Sequence, residues 1–112
     1  MKIYHNPRCS KSRQGLAILE ESNNPFEVIK YLDKPFAQEE LTELIKLLGI
    51  KPIDLVRKNE TIWKTEFKGK NLSDSEIITA MVNNPKLIER PIVVKNDKAV
   101  IGRPPEIIKT IL

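Results

Sequence analysis

The fold is decided by residues 2–31, which read KIYHNPRCSKSRQGLAILEESNNPFEVIKY. Residues 2–4 are predicted to form a short strand and residues 10–22 a helix. Asn23-Asn24-Pro25 ends that helix, because Asn tolerates left-handed backbone and Pro cannot continue a helix. The β-branched and aromatic content of residues 26–31 is typical of a second strand. This order predicts a parallel βαβ unit with a right-handed crossover.

The rest of the chain continues with helices and then a hairpin. Apolar residues between 37 and 88 recur at helical spacing, and shorter helices are predicted to open at Pro52 and Asn59. Residues 92–101 hold two β-branched runs around the polar turn KNDK, which predicts a tight hairpin. Residues 104–112 are predicted to close the chain as a helix. The order β-α-β, helices, β-β-α is that of a thioredoxin-like α/β fold with a mixed four-stranded sheet.

Length and composition limit the class of protein. A chain of 112 residues is near the commonest size for one compact domain, so we expect a single domain over residues 1–112 with a helical insertion at about 37–88. The chain is 40% hydrophobic and 30% charged, which is typical of a globular protein. Neither a membrane-spanning stretch nor a signal peptide is present, so we expect a cytoplasmic protein without a membrane partner.

The net charge is less informative. The chain has 19 Lys and Arg against 15 Asp and Glu, a formal charge of +4 spread along its length without a basic tail. This excess alone does not distinguish a nucleic-acid partner from a small anionic ligand, or from no partner.

Cys9 is the only cysteine, which excludes an internal disulfide and a Cys-x-x-Cys metal or redox pair. Any redox chemistry at Cys9 needs a resolving thiol from another molecule. One histidine and one cysteine cannot form a closed zinc site, so we expect no metal.

The position of Cys9 favours a reactive thiol, although a lone cysteine is more often a small buried hydrophobe. It lies where the first strand has ended and the first helix begins, and there free backbone N–H groups and the helix dipole favour negative charge. Arg8, Lys11 and Arg13 add positive charge nearby. A thiol in such a place has a depressed pKa and is more often thiolate, the nucleophilic form.

Three polar residues around Cys9 have two interpretations each. His5, the only histidine, either ties down its own turn or helps to hold the thiolate. Asn6 either sets the turn or donates a hydrogen bond to the sulfur. Ser12 either caps the helix start or supports the site.

Three arginines stand out by their positions. Arg57 ends an apolar run, and Arg90 precedes Pro91 at the entry of the third strand, where an X-Pro bond can be cis. Arg103 follows directly after the fourth strand. Each alone is typical of a solvated surface charge, but guanidinium groups also suit bidentate contacts to tetrahedral oxyanions.

Four motifs together resemble the ArsC family of glutaredoxin-linked arsenate reductases, and most closely its short chromosomal branch. They are IYHNPRCSKSR at 3–13, LVRKN at 55–59, ERPIVV at 89–94 and GRPPE at 102–106. The resemblance runs from Met1 to about Leu112. The chain differs from the plasmid-resistance members in having Arg8 and in ending at Leu112 without their extended tail.

The resemblance implies a thioredoxin-like fold and a reduction of arsenate to arsenite that serves arsenic detoxification. Cys9 matches the catalytic cysteine, and Arg57, Arg90 and Arg103 match the arsenate-binding arginines. His5 matches the histidine credited with lowering the pKa of the cysteine, and Pro91 matches a cis-proline at the active site. The family implies glutathione as co-substrate, glutaredoxin as partner, and neither a bound cofactor nor a nucleic acid.

Two alternatives come from other classes. The Spx-type regulators resemble this family in fold but bind RNA polymerase without turning over a substrate. Their usual redox switch is Cys-x-x-Cys, and Ser12 stands at the second cysteine position here. A generic monothiol thiol-transferase would use Cys9 without needing three arginines.

Overall fold

The structure is a computed structural model that describes every residue, Met1–Leu112. The chain forms two compact units. The first combines residues 1–34 with 90–112, and the second is residues 35–89.

The first unit is built around a four-stranded sheet. Its elements are β1 (Lys2–Tyr4), α1 (Ser10–Glu21), β2 (Glu27–Ile29), β3 (Ile92–Lys95), β4 (Lys98–Ile101) and a 3-10 helix (Pro105–Ile111). The strand order is β2-β1-β3-β4, with β1 parallel to β2 and antiparallel to β3, and with β3 antiparallel to β4. This mixed sheet confirms the predicted thioredoxin-like α/β fold.

Side chains from the sheet and both helices of this unit share one core. Ile3 of β1, Leu19 of α1, Val93 of β3 and Ile108 of the 3-10 helix are fully buried together. Alternation along each strand places these apolar side chains on the face that the helices cover. The burial holds the end of β1 and the start of α1 in fixed positions.

The second unit is helical. Its elements are α2 (Gln38–Leu48), a 3-10 helix (Pro52–Leu55), a π-helical turn (Trp63–Phe67), α3 (Asp74–Asn83) and a 3-10 helix (Pro85–Leu87). Gly49 ends α2 in left-handed backbone with φ 68°. At the start of α3, the hydroxyl of Ser73 accepts from the Glu76 N–H, and the Glu76 carboxylate accepts from the Ser73 N–H.

Several local predictions are corrected. The second strand is Glu27–Ile29 and not residues 26–31, because it pairs with a three-residue β1. The helix predicted from Asn59 contains a π-helical turn, and the last helix is a 3-10 helix. Pro104 and Pro105 lack N–H groups, and the first bond of that last helix runs from the Ile107 N–H to the Pro104 carbonyl, one residue short of the α-helical spacing.

No helix of the structure is both long enough and apolar enough to span a lipid bilayer.

Candidate active site

Cys9 is the N-cap residue of α1, so it stands at the end of the turn that follows β1. Its N–H donates to the carbonyl of Asn6 at 3.0 Å, and its carbonyl accepts from the N–H of Arg13 at 3.0 Å. Only 9% of the residue is exposed, and its thiol is free. The turn therefore holds the sulfur at the positive end of the helix dipole.

The surroundings of Cys9 change the acidity of its thiol. Burial raises the pKa, but a hydrogen bond from the Arg90 side chain, the backbone N–H of Ser12, the charge of Arg90 and the backbone N–H of Lys11 all lower it. The net effect lowers the pKa from 9.0 to about 7. A large share of the thiol is therefore thiolate at neutral pH.

Two arginines meet at this sulfur. Arg103 donates from Nη2 to Cys9 Sγ at 3.6 Å and from Nε to the carbonyl of Arg90 at 2.9 Å. Arg90 lies close enough to lower the pKa of the Cys9 thiol, and its Nε is buried without a hydrogen-bond partner. The structure thus brings together three residues that lie far apart in the sequence.

Both arginines precede a proline with a cis peptide bond. The Arg90–Pro91 bond is cis, as the sequence suggested, and the Arg103–Pro104 bond is cis as well, which the sequence analysis did not anticipate. Pro91 is buried, and its carbonyl accepts from the N–H of Gly102 at 2.7 Å. This hydrogen bond joins the segment before β3 to the segment after β4 and keeps the two arginines close.

His5, Asn6 and Ser12 form a buried polar group beneath the turn. The hydroxyl of Ser12 lies 2.7 Å from His5 Nδ1 and accepts from the Asn6 N–H at 2.9 Å. Burial is the main cause that lowers the pKa of His5, and the charges of Lys30 and Arg13 lower it further, against a hydrogen bond to the backbone of Ser12 that raises it. His5 is therefore neutral at pH 7, and its described hydrogen bond goes to Ser12 and not to the sulfur.

The other predicted supporting residues stabilise the turn. Asn6 Oδ1 accepts from the Arg8 N–H at 3.0 Å, which is the arrangement of an Asx turn. Arg13 donates from Nη1 to the carbonyl of Pro7 at 2.9 Å. Both contacts fix the backbone that leads into Cys9.

Arg57 belongs to the second unit. Its Nε lies 3.7 Å from Glu60 Oε1 and 3.9 Å from Glu89 Oε1, and its Nη1 is buried without a hydrogen-bond partner. Neither glutamate was predicted from the sequence as part of the site. The spacing of Arg57 and Glu60, three residues apart, was the available signal, since such pairs meet within one helical turn.

The geometry suits nucleophilic attack on an anion. Free amides at the start of α1 and two guanidinium groups offer donors beside a partly ionised sulfur, and these donors would stabilise negative oxygens. No group of three or more His, Cys, Asp or Glu side chains in the structure could hold a metal ion.

Comparison with known proteins finds relatives along the whole chain. The sequence profile of the ArsC family matches residues 4–111. The Escherichia coli K12 protein YfgD, described as uncharacterized, is 50% identical over 95% of this chain and 91% of its own length. An arsenate reductase of Neisseria meningitidis serogroup A is 41% identical over 100% of this chain and 97% of its own. The solved structure of an arsenate reductase from Vibrio cholerae has a TM-score of 0.94 at 46% identity, covering 100% of this chain and 98% of that chain.

Proposed function

The chain belongs to the ArsC family, and from this premise we propose that it reduces arsenate to arsenite with Cys9 as its only nucleophile. The observation that carries the proposal is the Cys9 sulfur at the start of α1, with its pKa lowered to about 7 and Arg103 Nη2 at 3.6 Å. Arsenate is a tetrahedral oxyanion, and guanidinium groups bind such anions through paired hydrogen bonds.

The two arginines beside the sulfur would also offset the repulsion between the thiolate and arsenate. A thiolate and an arsenate anion repel each other, so attack is slow unless positive charge offsets both. Arg103 contacts the sulfur, Arg90 lowers its pKa, and both would also contact the bound anion. Their charge would then matter most when the sulfur and arsenic approach each other.

The first step forms a bond between Cys9 Sγ and arsenic. The thiolate attacks arsenic, one arsenate oxygen takes up protons and leaves as water, and an arsenic(V) thioester remains on Cys9. Neutral donors from α1 and the two guanidinium groups hold the remaining oxygens. Arsenic is not yet reduced at this stage.

Reduction needs a second thiol, because the chain has one cysteine. The glutathione thiolate attacks Cys9 Sγ, the sulfur–arsenic bond breaks, and its electron pair goes to arsenic, which leaves as arsenite. Cys9 and glutathione are then joined as a mixed disulfide. Glutaredoxin attacks the glutathione sulfur and restores the Cys9 thiol by thiol–disulfide exchange.

Arg57 completes the predicted set of arsenate ligands. Its assignment rests on the LVRKN motif and on the buried Nη1 that lacks a hydrogen-bond partner. We place the reaction in the cytoplasm, where glutathione is kept reduced.

The test is arsenate-dependent NADPH oxidation in the presence of glutathione, glutaredoxin and glutathione reductase. We expect turnover by the parent and a severe loss in Arg90→Ala, with Lys109→Ala as a charge-matched control, since Lys109 is an exposed residue of the last helix. Far-UV circular dichroism checks that each variant is folded.

The outcome also separates the alternatives. A folded parent that shows no turnover while the coupling enzymes work would contradict the proposal and favour a non-catalytic regulator that binds RNA polymerase. Cys9-dependent reduction of glutathione mixed disulfides without any response to arsenate would favour a generic thiol-transferase.

A further inference from the structure

We propose that Glu60 and Glu89 are positioning residues that hold the Nε edge of Arg57 and so orient its guanidinium group for arsenate. The inference rests on the proposed function, which it deepens by assigning a role to two further residues. Arg57 Nε lies 3.7 Å from Glu60 Oε1 and 3.9 Å from Glu89 Oε1.

Backbone hydrogen bonds fix the main-chain positions of Glu60 and Glu89. The Glu60 N–H donates to the carbonyl of Arg57 at 3.1 Å, which closes a tight turn. The Glu89 N–H donates to the carbonyl of Leu55 at 2.9 Å, and the Arg57 N–H donates to the carbonyl of Leu87 at 2.7 Å. The two glutamates therefore approach the same nitrogen from two backbone-anchored segments.

Because the guanidinium group is planar and rigid, a contact at Nε fixes the orientation of the whole group. Arginine presents its donors in a rigid planar fork, so a constraint at Nε also orients Nη1 and Nη2. Nη1 is buried and has no hydrogen-bond partner in the structure, although buried donors in proteins are nearly always paired. An oxygen of a bound oxyanion would supply that partner.

The three side chains are also partly shielded from solvent. The exposed fraction of the side chain is 23% for Arg57, 30% for Glu60 and 28% for Glu89. Ion pairs at this depth are screened by salt less than fully exposed pairs. The carboxylates can therefore restrain the guanidinium group under physiological ionic conditions.

The charge of the two glutamates and their positioning of Arg57 have opposite expected effects on arsenate binding. Two carboxylates beside one arginine leave a local charge of about −1, which by itself disfavours an incoming anion. If the glutamates acted only through charge, neutralising them would tighten arsenate binding. If they orient Arg57, neutralising them would weaken it, so the sign of the change in KM decides.

The experiment compares Glu60→Gln, Glu89→Gln and the double variant with Glu66→Gln, a control at an exposed glutamate of the same unit. Gln keeps the size and an acceptor oxygen but removes the charge. We expect KM for arsenate to rise about two- to fivefold in each single variant, as for loss of a weak ion pair, with little change in kcat. In an Arg57→Ala background the same substitutions should add nothing.

A second measurement does not depend on turnover. The NMR order parameter of the Arg57 Nε–H group should fall in the double variant and stay unchanged in Glu66→Gln. An unchanged order parameter, or a KM that falls, would overturn the positioning role. A parent that lacks arsenate turnover would contradict the proposed function instead, and the order parameter would still decide whether the glutamates hold Arg57.

Discussion

The two compact units hold their arginines in different ways. In the first unit, Arg103 Nε donates to a backbone carbonyl at 2.9 Å, whereas in the second unit Arg57 Nε lies 3.7 and 3.9 Å from two carboxylates. A carbonyl carries no net charge, so it orients Arg103 without neutralising it. The carboxylates orient Arg57 but also offset its charge. The Arg90 carbonyl thus orients the guanidinium group that contacts the sulfur without adding a negative charge of its own.

The units also use glycine for different reasons. A Cβ added to Gly15 of α1 would lie 2.8 Å from Pro91 Cγ and 3.0 Å from Ile108 Cδ1. Gly49, which ends α2, has nothing within 4 Å of such a Cβ but has a φ of +68°. Glycine is required by close packing in the first unit and by the backbone conformation in the second.

The largest effect should come from Cys9→Ser, which tests whether the first unit carries the chemistry. We expect arsenate turnover to fall ~10⁴-fold or more, because the hydroxyl is a far weaker nucleophile at neutral pH. The melting temperature at pH 7 should change little, since Ser is itself a preferred N-cap residue. The coupled assay and thermal denaturation measure the two effects. Appreciable turnover by this variant would contradict the role of Cys9.

The next effect compares Arg103→Lys with Arg57→Lys. A single ammonium group cannot replace both the Arg90 carbonyl contact and the sulfur contact of Arg103, so we expect kcat to fall about 10²- to 10³-fold there. Arg57→Lys should act mainly on KM for arsenate. Steady-state kinetics with arsenate separates the two parameters. Equal losses of kcat in both variants would remove the contrast between the units.

Substitution of the two glycines tests the packing contrast. Gly15→Ala should lower the free energy of unfolding by about 1 kcal/mol or more, because overpacking against the rigid Pro91 ring exceeds the gain in helix propensity. Gly49→Ala should cost about 1 kcal/mol through left-handed strain. Urea denaturation measures both.

Asparagine distinguishes the two causes. Gly49→Asn should cost less than Gly49→Ala, since Asn tolerates left-handed backbone, whereas Gly15→Asn should cost more than Gly15→Ala. The reverse order at either position would show that its glycine is required for the other reason.

The smallest effect is a pH dependence of stability. The pKa of Cys9 is lowered in the folded state, so the stability from the thiolate is fully present above the unfolded pKa near 9.0 and is lost as pH falls through about 7. We therefore expect the unfolding free energy of the parent, relative to Cys9→Ser, to rise between pH 7 and pH 9. Urea denaturation at several pH values measures this difference. A difference that stays flat across that range would contradict the lowered pKa.

Local signals in the sequence predicted the elements that position the sulfur. The strand at Lys2–Tyr4, the helix that begins at Ser10 and the hairpin after β3 are all confirmed, because each is encoded by neighbouring residues. The contact between Cys9 and Arg103 joins residues 94 positions apart, and only the assembled sheet brings them together. Local patterns could not give the distance of 3.6 Å or the second cis proline.

The helical unit was predicted less fully for a related reason. Asn-Asn-Pro stands at the end of both α1 and α3, but only the first run uses a left-handed Asn, with φ 59° at Asn23. At the second run, Asn84 has a φ of −134° and a 3-10 turn follows at Pro85. Glu60 lies three residues from Arg57, but the contact with Glu89 depends on a pairing between distant segments, which spacing along the chain does not reveal.

The free thiol of Cys9 is a single site for thiol-specific labelling. A thiol-reactive reagent would attach its label, such as a fluorophore, a spin label or an isotopically enriched carbon, only at Cys9 Sγ. The chain has no second cysteine that would add a second signal. Intact-mass spectrometry would then report the occupancy of that atom directly, as one mass step for each adduct. Every covalent state in a working cycle could be counted from a single spectrum.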